Sequence, residues 1–153
     1  MEIAIRTARI DELAELEALQ LRASLANPGD REAVLAHPDA IMIPPSQIAD
    51  GQVFVAESDG SLLGFSAVLD RDDGQTELDG LFVEPVLWRS GVGRRLVERA
   101  MEYGRGRAAL WLHVIGNPHA KGFYEACGFV SYGSRETDFG TGLLMRAPIG
   151  AHA

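Results

Sequence analysis

One cysteine, Cys127, stands among 153 residues, so no disulfide can close within the chain. No apolar run approaches the ~18 residues of a membrane span, and no basic-then-apolar leader opens the sequence. The expectation is a cytoplasmic protein with no membrane partner. Four histidines (His37, His113, His119 and His152) lack metal-ligand spacing, and no metal is expected. Repeats, linkers and low-complexity runs are absent as well. With 46% hydrophobic residues, the chain reads as one globular domain over 1–153 with a real core.

Basic charge is scarce except in one place. Residues 1–87 carry 17 Asp/Glu against 5 Arg, a balance of −12, and residues 108–153 are neutral. Residues 88–107 carry 6 Arg against 2 Glu, a balance of +4 within a chain of net charge −8. A basic island in an acidic chain suits a compact polyanion, and the acidic remainder argues against nucleic acid coating it.

That island contains Trp88-Arg89-Ser90-Gly91-Val92-Gly93-Arg94-Arg95-Leu96. An apolar strand, Leu78 to Val83, precedes it and ends at Glu84-Pro85. Val92, Leu96 and Ala100 follow at helical spacing, with Val97 and Met101 alongside. Glycines at the mouth of a helix let a ligand approach the backbone, and the free N–H groups and dipole there favour an anion. Arg89, Arg94 and Arg95 add forked donors suited to phosphate. Two nucleotide motifs fail: Arg94-Arg95 stands where a P-loop needs Lys and Ser/Thr, and Leu96 where a dinucleotide fingerprint needs a third glycine or alanine.

A second apolar strand, Ala108 to Val114, leads into Asn117-Pro118-His119-Ala120-Lys121-Gly122-Phe123-Tyr124-Glu125-Ala126-Cys127-Gly128-Phe129. Asn117 suits an N-cap, Pro118 the first helical position and Gly128 the stop. Asn117, Ala120 and Tyr124 share one helical stripe; Phe123 and Cys127 share its neighbour, with Cys127 expected in a structural role.

The remaining segments give a coarse outline. A strand over Glu2 to Ala8 precedes a helix capped by Asp11 and running to about Leu25. Asn27-Pro28-Gly29-Asp30 breaks that helix, and Arg31 to Ala36 forms a short second one. His37 to Gly51 is loop-rich. Val53 to Glu57 and Leu62 to Leu69 form a hairpin around Ser58-Asp59-Gly60-Ser61, and Asp72-Asp73-Gly74 turns into a long strand, Gln75 to Val83. Helix 91–103, strand 108–114, helix 118–127 and strands near 129–136 and 140–146 complete a mixed α/β sheet.

With these elements in order, the chain resembles the GNAT family of N-acetyltransferases, whose pattern is a strand, an Arg/Gln-x-x-Gly-x-Gly/Ala loop opening a helix, a further strand, then Asn…Ala…Phe-Tyr…Gly-Phe. The matching residues are Leu81-Phe82-Val83-Glu84-Pro85, Trp88 to Gly93, Asn117, Ala120, Phe123-Tyr124 and Gly128-Phe129. The resemblance implies a GNAT-like fold: a mostly antiparallel twisted sheet of about seven strands flanked by about four helices. It implies acetyl-CoA as co-substrate, held by strand residues Leu81, Phe82 and Val83, by loop residues Arg89, Ser90, Gly91, Val92, Gly93 and Arg94, and by Asn117, Ala120, Phe123 and Tyr124. Trp88 departs from the Arg or Gln of the pattern, with Arg89 one residue later. The family holds pyrophosphate mainly through backbone N–H groups, so this change is expected to matter less than loss of Gly91 or Gly93. Homodimers occur in the family, although this sequence displays no interface.

Acetyl transfer to an amine needs a polarised carbonyl, a neutral amine and a proton for the departing thiolate. Asp79-Gly80 resembles a β-bulge that would free an N–H for the carbonyl. A Lys-like amine of pKa ~10.4 is neutral in only about one molecule per few thousand at pH 7, so a base helps. Glu77 is the first candidate and Asp79 the second, each competing with the reading of a solvated strand carboxylate. His113 is the third, competing with a structural histidine. The family's general acid falls on Tyr124. A phenol of pKa ~10 loses about 2 kcal/mol on full proton transfer to a thiolate near ~8.5, so it would act mostly as a hydrogen-bond donor. The acceptor, an amine of a small molecule or peptide or else a hydroxyl, would be met by residues 20–50 and the last hairpin, where no motif identifies it. A non-catalytic acyl-CoA-binding sensor on the same fold is the alternative.

Overall fold

Apolar side chains fill both faces of the central strands, and this sets the layering. The computed structural model describes residues 2–150; His152 lies outside them. Seven strands form one sheet: β1 (Ala4–Thr7), β2 (Val53–Ser58), β3 (Ser61–Asp70), β4 (Thr76–Val83), β5 (Trp111–Gly116), β6 (Val130–Thr137) and β7 (Gly140–Pro148). Their order is β1-β2-β3-β4-β5-β7-β6. Every neighbouring pair is antiparallel except β4 and β5, which run parallel. Asp59 and Gly60 both have positive φ, 50° and 80°, the geometry of the tight turn expected between β2 and β3.

Among the described residues five α-helices flank the sheet: α1 (Leu13–Ala26), α2 (Arg31–Ala36), α3 (Pro45–Ala49), α4 (Val92–Gly106) and α5 (Lys121–Ala126). On one face Val97 and Ala100 of α4 and Tyr124 of α5 meet Phe54, Val68, Leu78, Leu112 and Val114. On the other, Leu16 and Leu19 of α1 and Ile48 of α3 cover Val53, Val55, Phe65 and Ala67. Each such fully buried Leu or Phe contributes about 1.5–3 kcal/mol.

Three local readings need correction. The loop-rich 37–51 segment contains α3, opened by Pro45 at a position where proline's missing N–H costs nothing. The helix expected over 118–127 is a 3-10 turn, Pro118–Ala120, followed by α5. Asp11 does not cap α1: it pairs with Arg9 on the surface. The buried Glu12 instead accepts the Arg9 backbone N–H at 2.8 Å and two N–H groups of Arg6 at 3.0 and 2.8 Å. Among the described residues, no helix is long and apolar enough to cross a membrane.

Candidate active site

The parallel pairing of β4 and β5 lasts only three residue pairs, Thr76↔Leu112, Glu77↔His113 and Leu78↔Val114. Beyond these, β4 stays with β3 as far as Val83, while β5 stays with β7 as far as Gly116. The strands therefore splay, and backbone groups of residues 79–83 on the β5 side have no strand partner. A cleft of about 1270 Å³ fills the wedge. The register with β3 steps from Ala67↔Gly80 to Val68↔Leu78, leaving Asp79 as the extra residue of a β-bulge. This is the bulge expected at Asp79-Gly80. It separates the faces of the two candidate bases: Asp79 lines the cleft, whereas Glu77 lines a smaller pocket at the point of the wedge.

The 15-residue helix α4 opens at one end of the cleft. Its N-cap, Gly91, has φ 93°, and a Cβ there would meet nothing within 4 Å, so the backbone at the helix mouth is open to a ligand. Gly93 is different: a Cβ on it would meet the Phe123 ring at 3.2 Å, so this glycine serves the close packing of α4 on Phe123. Arg89 and Arg94 line the cleft. Arg95 turns away and donates to the Ile3 carbonyl. Ser90 Oγ donates to the Leu87 carbonyl, and the Val92 side chain is fully buried, so these two can offer the cleft only backbone N–H groups. Trp88, the departure from the family pattern, donates its indole N–H to the Val83 carbonyl at 2.9 Å and so braces the loop against the end of β4.

The opposite wall comes from the β5–α5 junction. Tyr124 is buried between Phe123 and Phe129, both edge-on to its ring. Among the described residues no hydrogen bond engages its hydroxyl. No fully enclosed side-chain polar atom there lacks a partner, so the hydroxyl opens onto the cleft that Tyr124 lines. Burial raises its pKa above 10, keeping the phenol protonated. Asn117 caps the 3-10 turn by accepting the His119 N–H at 2.9 Å, and its amide donates to Asp30 Oδ1 at 3.2 Å. Burial pushes the Cys127 thiol pKa up, which opposes a nucleophilic role.

The smaller pocket, about 190 Å³, is lined by Arg71, Glu77, His113, Tyr132 and Arg135 over an apolar floor. Half-burial raises the Glu77 pKa, with Arg71 opposing the shift. His113 is pushed down by burial and lies 3.0 Å from the Tyr132 hydroxyl through Nδ1. In the main cleft, Asp79 accepts from Gln47 Nε2 at 3.4 Å.

The profile of the acetyltransferase (GNAT) family matches residues 13–129. The chain belongs to this family. Among solved structures, the GNAT chain is similar to the paiA N-acetyltransferase of Thermoplasma acidophilum in complex with coenzyme A, at 20% identity and TM-score 0.77, covering 97% of this chain and 99% of that one. It is similar to yncA of Salmonella typhimurium, a putative acetyltransferase with acetyl-CoA, at 16% identity and TM-score 0.73, covering 100% and 97%. It is also similar to nourseothricin acetyltransferase, at 29% identity and TM-score 0.59; here it covers 63% of its own length and 64% of that chain. No curated protein matches it.

Within this GNAT domain the cleft brings together Leu81, Phe82, Val83, Arg89, Gly91, Gly93, Arg94, Asn117, Ala120, Phe123 and Tyr124 of the expected ligand residues. It also takes in the α1–α2 loop from Asn27 to Asp30 and hairpin residues Thr137, Phe139 and Thr141, within the two regions expected to meet the acceptor. Arg71, Tyr132 and Arg135 carry no motif and went unrecognised in the sequence; only the strand register brings them to Glu77.

Proposed function

We propose that this chain, acting as one domain over 1–153, is an acetyl-CoA-dependent N-acetyltransferase that passes the acetyl group directly to a primary amine of a small molecule or peptide. The observation that carries this reading is the wedge between β4 and β5. Its volume of about 1270 Å³ exceeds the ~300–1,000 Å³ of ordinary small-molecule pockets, as a long nucleotide thioester requires. The open backbone at Gly91, the α4 N-terminus and the Arg89 and Arg94 side chains suit its phosphates. The unpaired β4 backbone suits an amide-bearing arm. Bound acetyl-CoA would supply the acetyl group as a thioester: the N–C bond forms, the C–S bond breaks, and CoA leaves as its thiol.

The chain's own residues handle the protons. Glu77 is the preferred acceptor of the amine proton, since burial lifts its pKa toward that of a working base; Asp79 is the second choice. Tyr124 Oη holds its proton and donates a hydrogen bond at the sulfur. Its raised pKa makes full transfer cost more than the ~2 kcal/mol of an ordinary phenol, so donation dominates.

The test is thiol release from acetyl-CoA across a panel of amines, with mass detection of the acetylated product. Amine-dependent release supports the reading. Tight acetyl-CoA binding without release to any amine points instead to an acyl-CoA sensor.

A further inference from the structure

The pocket at the point of the wedge holds an under-partnered carboxylate beside an unpartnered guanidinium. Glu77 is half-buried, and the nearest cation paired with it, Arg71, stands 3.6 Å away, beyond good hydrogen-bond distance. Arg71 makes its better contact elsewhere, to Asp73 at 3.1 Å. Arg135 lines the same pocket and has no ion-pair partner among the described residues. His113 and Tyr132, joined at 3.0 Å, close another side, and Leu144 forms part of the floor.

We infer that this pocket receives a small amino carboxylate, with the ammonium group at Glu77 and the anionic group at Arg135. The inference rests on the proposed acetyl transfer for its meaning as the acceptor site. Three features carry it. The pocket, about 190 Å³, lies below the ~300 Å³ at which drug-sized sites begin, which suits a metabolite of a few heavy atoms. With Arg71 engaged by Asp73, Glu77 and Arg135 are left as one negative and one positive lining group. A simple cationic amine would answer Glu77 but add to the positive charge at Arg135, whereas a zwitterion complements both. An arginine free of other partners can grip a carboxylate with two parallel N–H···O bonds, fixing the far end of the ligand while the amine faces Glu77. The pocket shares Val114 and Ile115 with the main cleft, so a ligand held there lies against the vertex where the two strands part.

The test measures binding apart from turnover. Glycine, L-alanine and 4-aminobutyrate are titrated into the protein with and without saturating CoA, each beside its carboxamide, which keeps the ammonium and lacks the carboxylate, and the series is repeated with Arg135→Gln. Arg135 is on an exposed stretch of β6, and CoA binding reports that the variant is folded. The expected result is at least one acid binding about tenfold or more tightly than its amide, one charge-assisted contact's worth, with the preference erased in Arg135→Gln. That result supports the pocket assignment even if no acetylated product forms; missing product counts against the transfer reading alone. Amides binding as well as acids, or none of the probes binding while CoA does, overturns the assignment. The transfer reading would then stand or fall on its own amine screen.

Discussion

The Asn117 amide donates to Asp30 Oδ1 across 3.2 Å, tying the β5–α5 junction to the α1–α2 loop where both border the cleft. Gly29 makes this crossing possible, because a Cβ there would overlap the Asn117 side chain. Asn117 thus caps its own 3-10 turn with one end and holds the loop with the other.

Separating these two jobs gives the first prediction. Asn117→Ala loses the cap, about 1 kcal/mol, and lowers the melting temperature by roughly 2–4 °C. Asp30→Ala keeps the cap, and relief of the desolvated Asp30 carboxylate offsets part of the lost bond, so it melts closer to the wild-type temperature. Both raise the KM for acetyl-CoA by about fivefold, the worth of one ~1 kcal/mol hydrogen bond holding the wall. Thermal unfolding and initial rates on the two variants check this; an unchanged KM in both would remove the loop from the site.

Tyr124→Phe removes a hydroxyl that no described residue uses, so the fold should not notice. Melting temperature and acetyl-CoA affinity stay at wild-type values, while kcat falls at least about tenfold, the equivalent of ~1.4 kcal/mol of transition-state stabilisation. Equal turnover in the variant would end the donor role.

Glu77 predicts a pH dependence. Its raised pKa means the carboxylate form needed by a base is lost as pH falls through a value above the ordinary 4.5. Arg71 and Arg135 favour the charged form, while burial, Asp79 and Asp73 oppose it. His113, opposite Glu77 across the β4–β5 register, is pushed below 6.5 and stays neutral near pH 7. The kcat/KM profile should therefore show an acid limb above pH ~4.5 that disappears in Glu77→Gln, with residual activity down about 100-fold. A limb retained in that variant but lost in His113→Gln would transfer the role to the histidine.

The two loop glycines should fail for different reasons. Gly91→Ala forces a left-handed residue, costing about 1–2 kcal/mol of stability, although space for the methyl is free. Gly93→Ala puts a methyl 3.2 Å from the ring of Phe123, so a side chain that lines the cleft must shift. The second variant should therefore weaken acetyl-CoA binding more than it lowers the melting temperature. Parallel denaturation and binding curves distinguish them.

Local chemistry made part of this architecture readable in advance. Asp59-Gly60 announces its own turn, Asn117-Pro118 its own cap, and the Gly-rich loop its own helix mouth. Gly80 marked the bulge because a strand glycine weakens the ladder where it sits. Short elements without such signals were harder: α3 hides between prolines, and β5 begins only at Trp111 because Ala108 takes φ 61° just after α4. Long-range register was out of reach. Nothing near Arg71, Tyr132 or Arg135 in the sequence signals Glu77, and the Asn117–Asp30 bond spans 87 positions. The spacing of Gly93 from Gly91 suits a phosphate loop; that Gly93 also packs on Phe123, 30 residues further along, is met only in the packed structure.

The most direct measurement is calorimetric titration with acetyl-CoA, beside CoA lacking its 3′-phosphate and beside ATP. Micromolar binding of acetyl-CoA, weakened by Gly93→Ala, with ATP binding far more weakly, is the predicted result. No acetyl-CoA binding, or tighter binding of ATP, would contradict the assignment of the β4–β5 wedge and the transfer chemistry built on it.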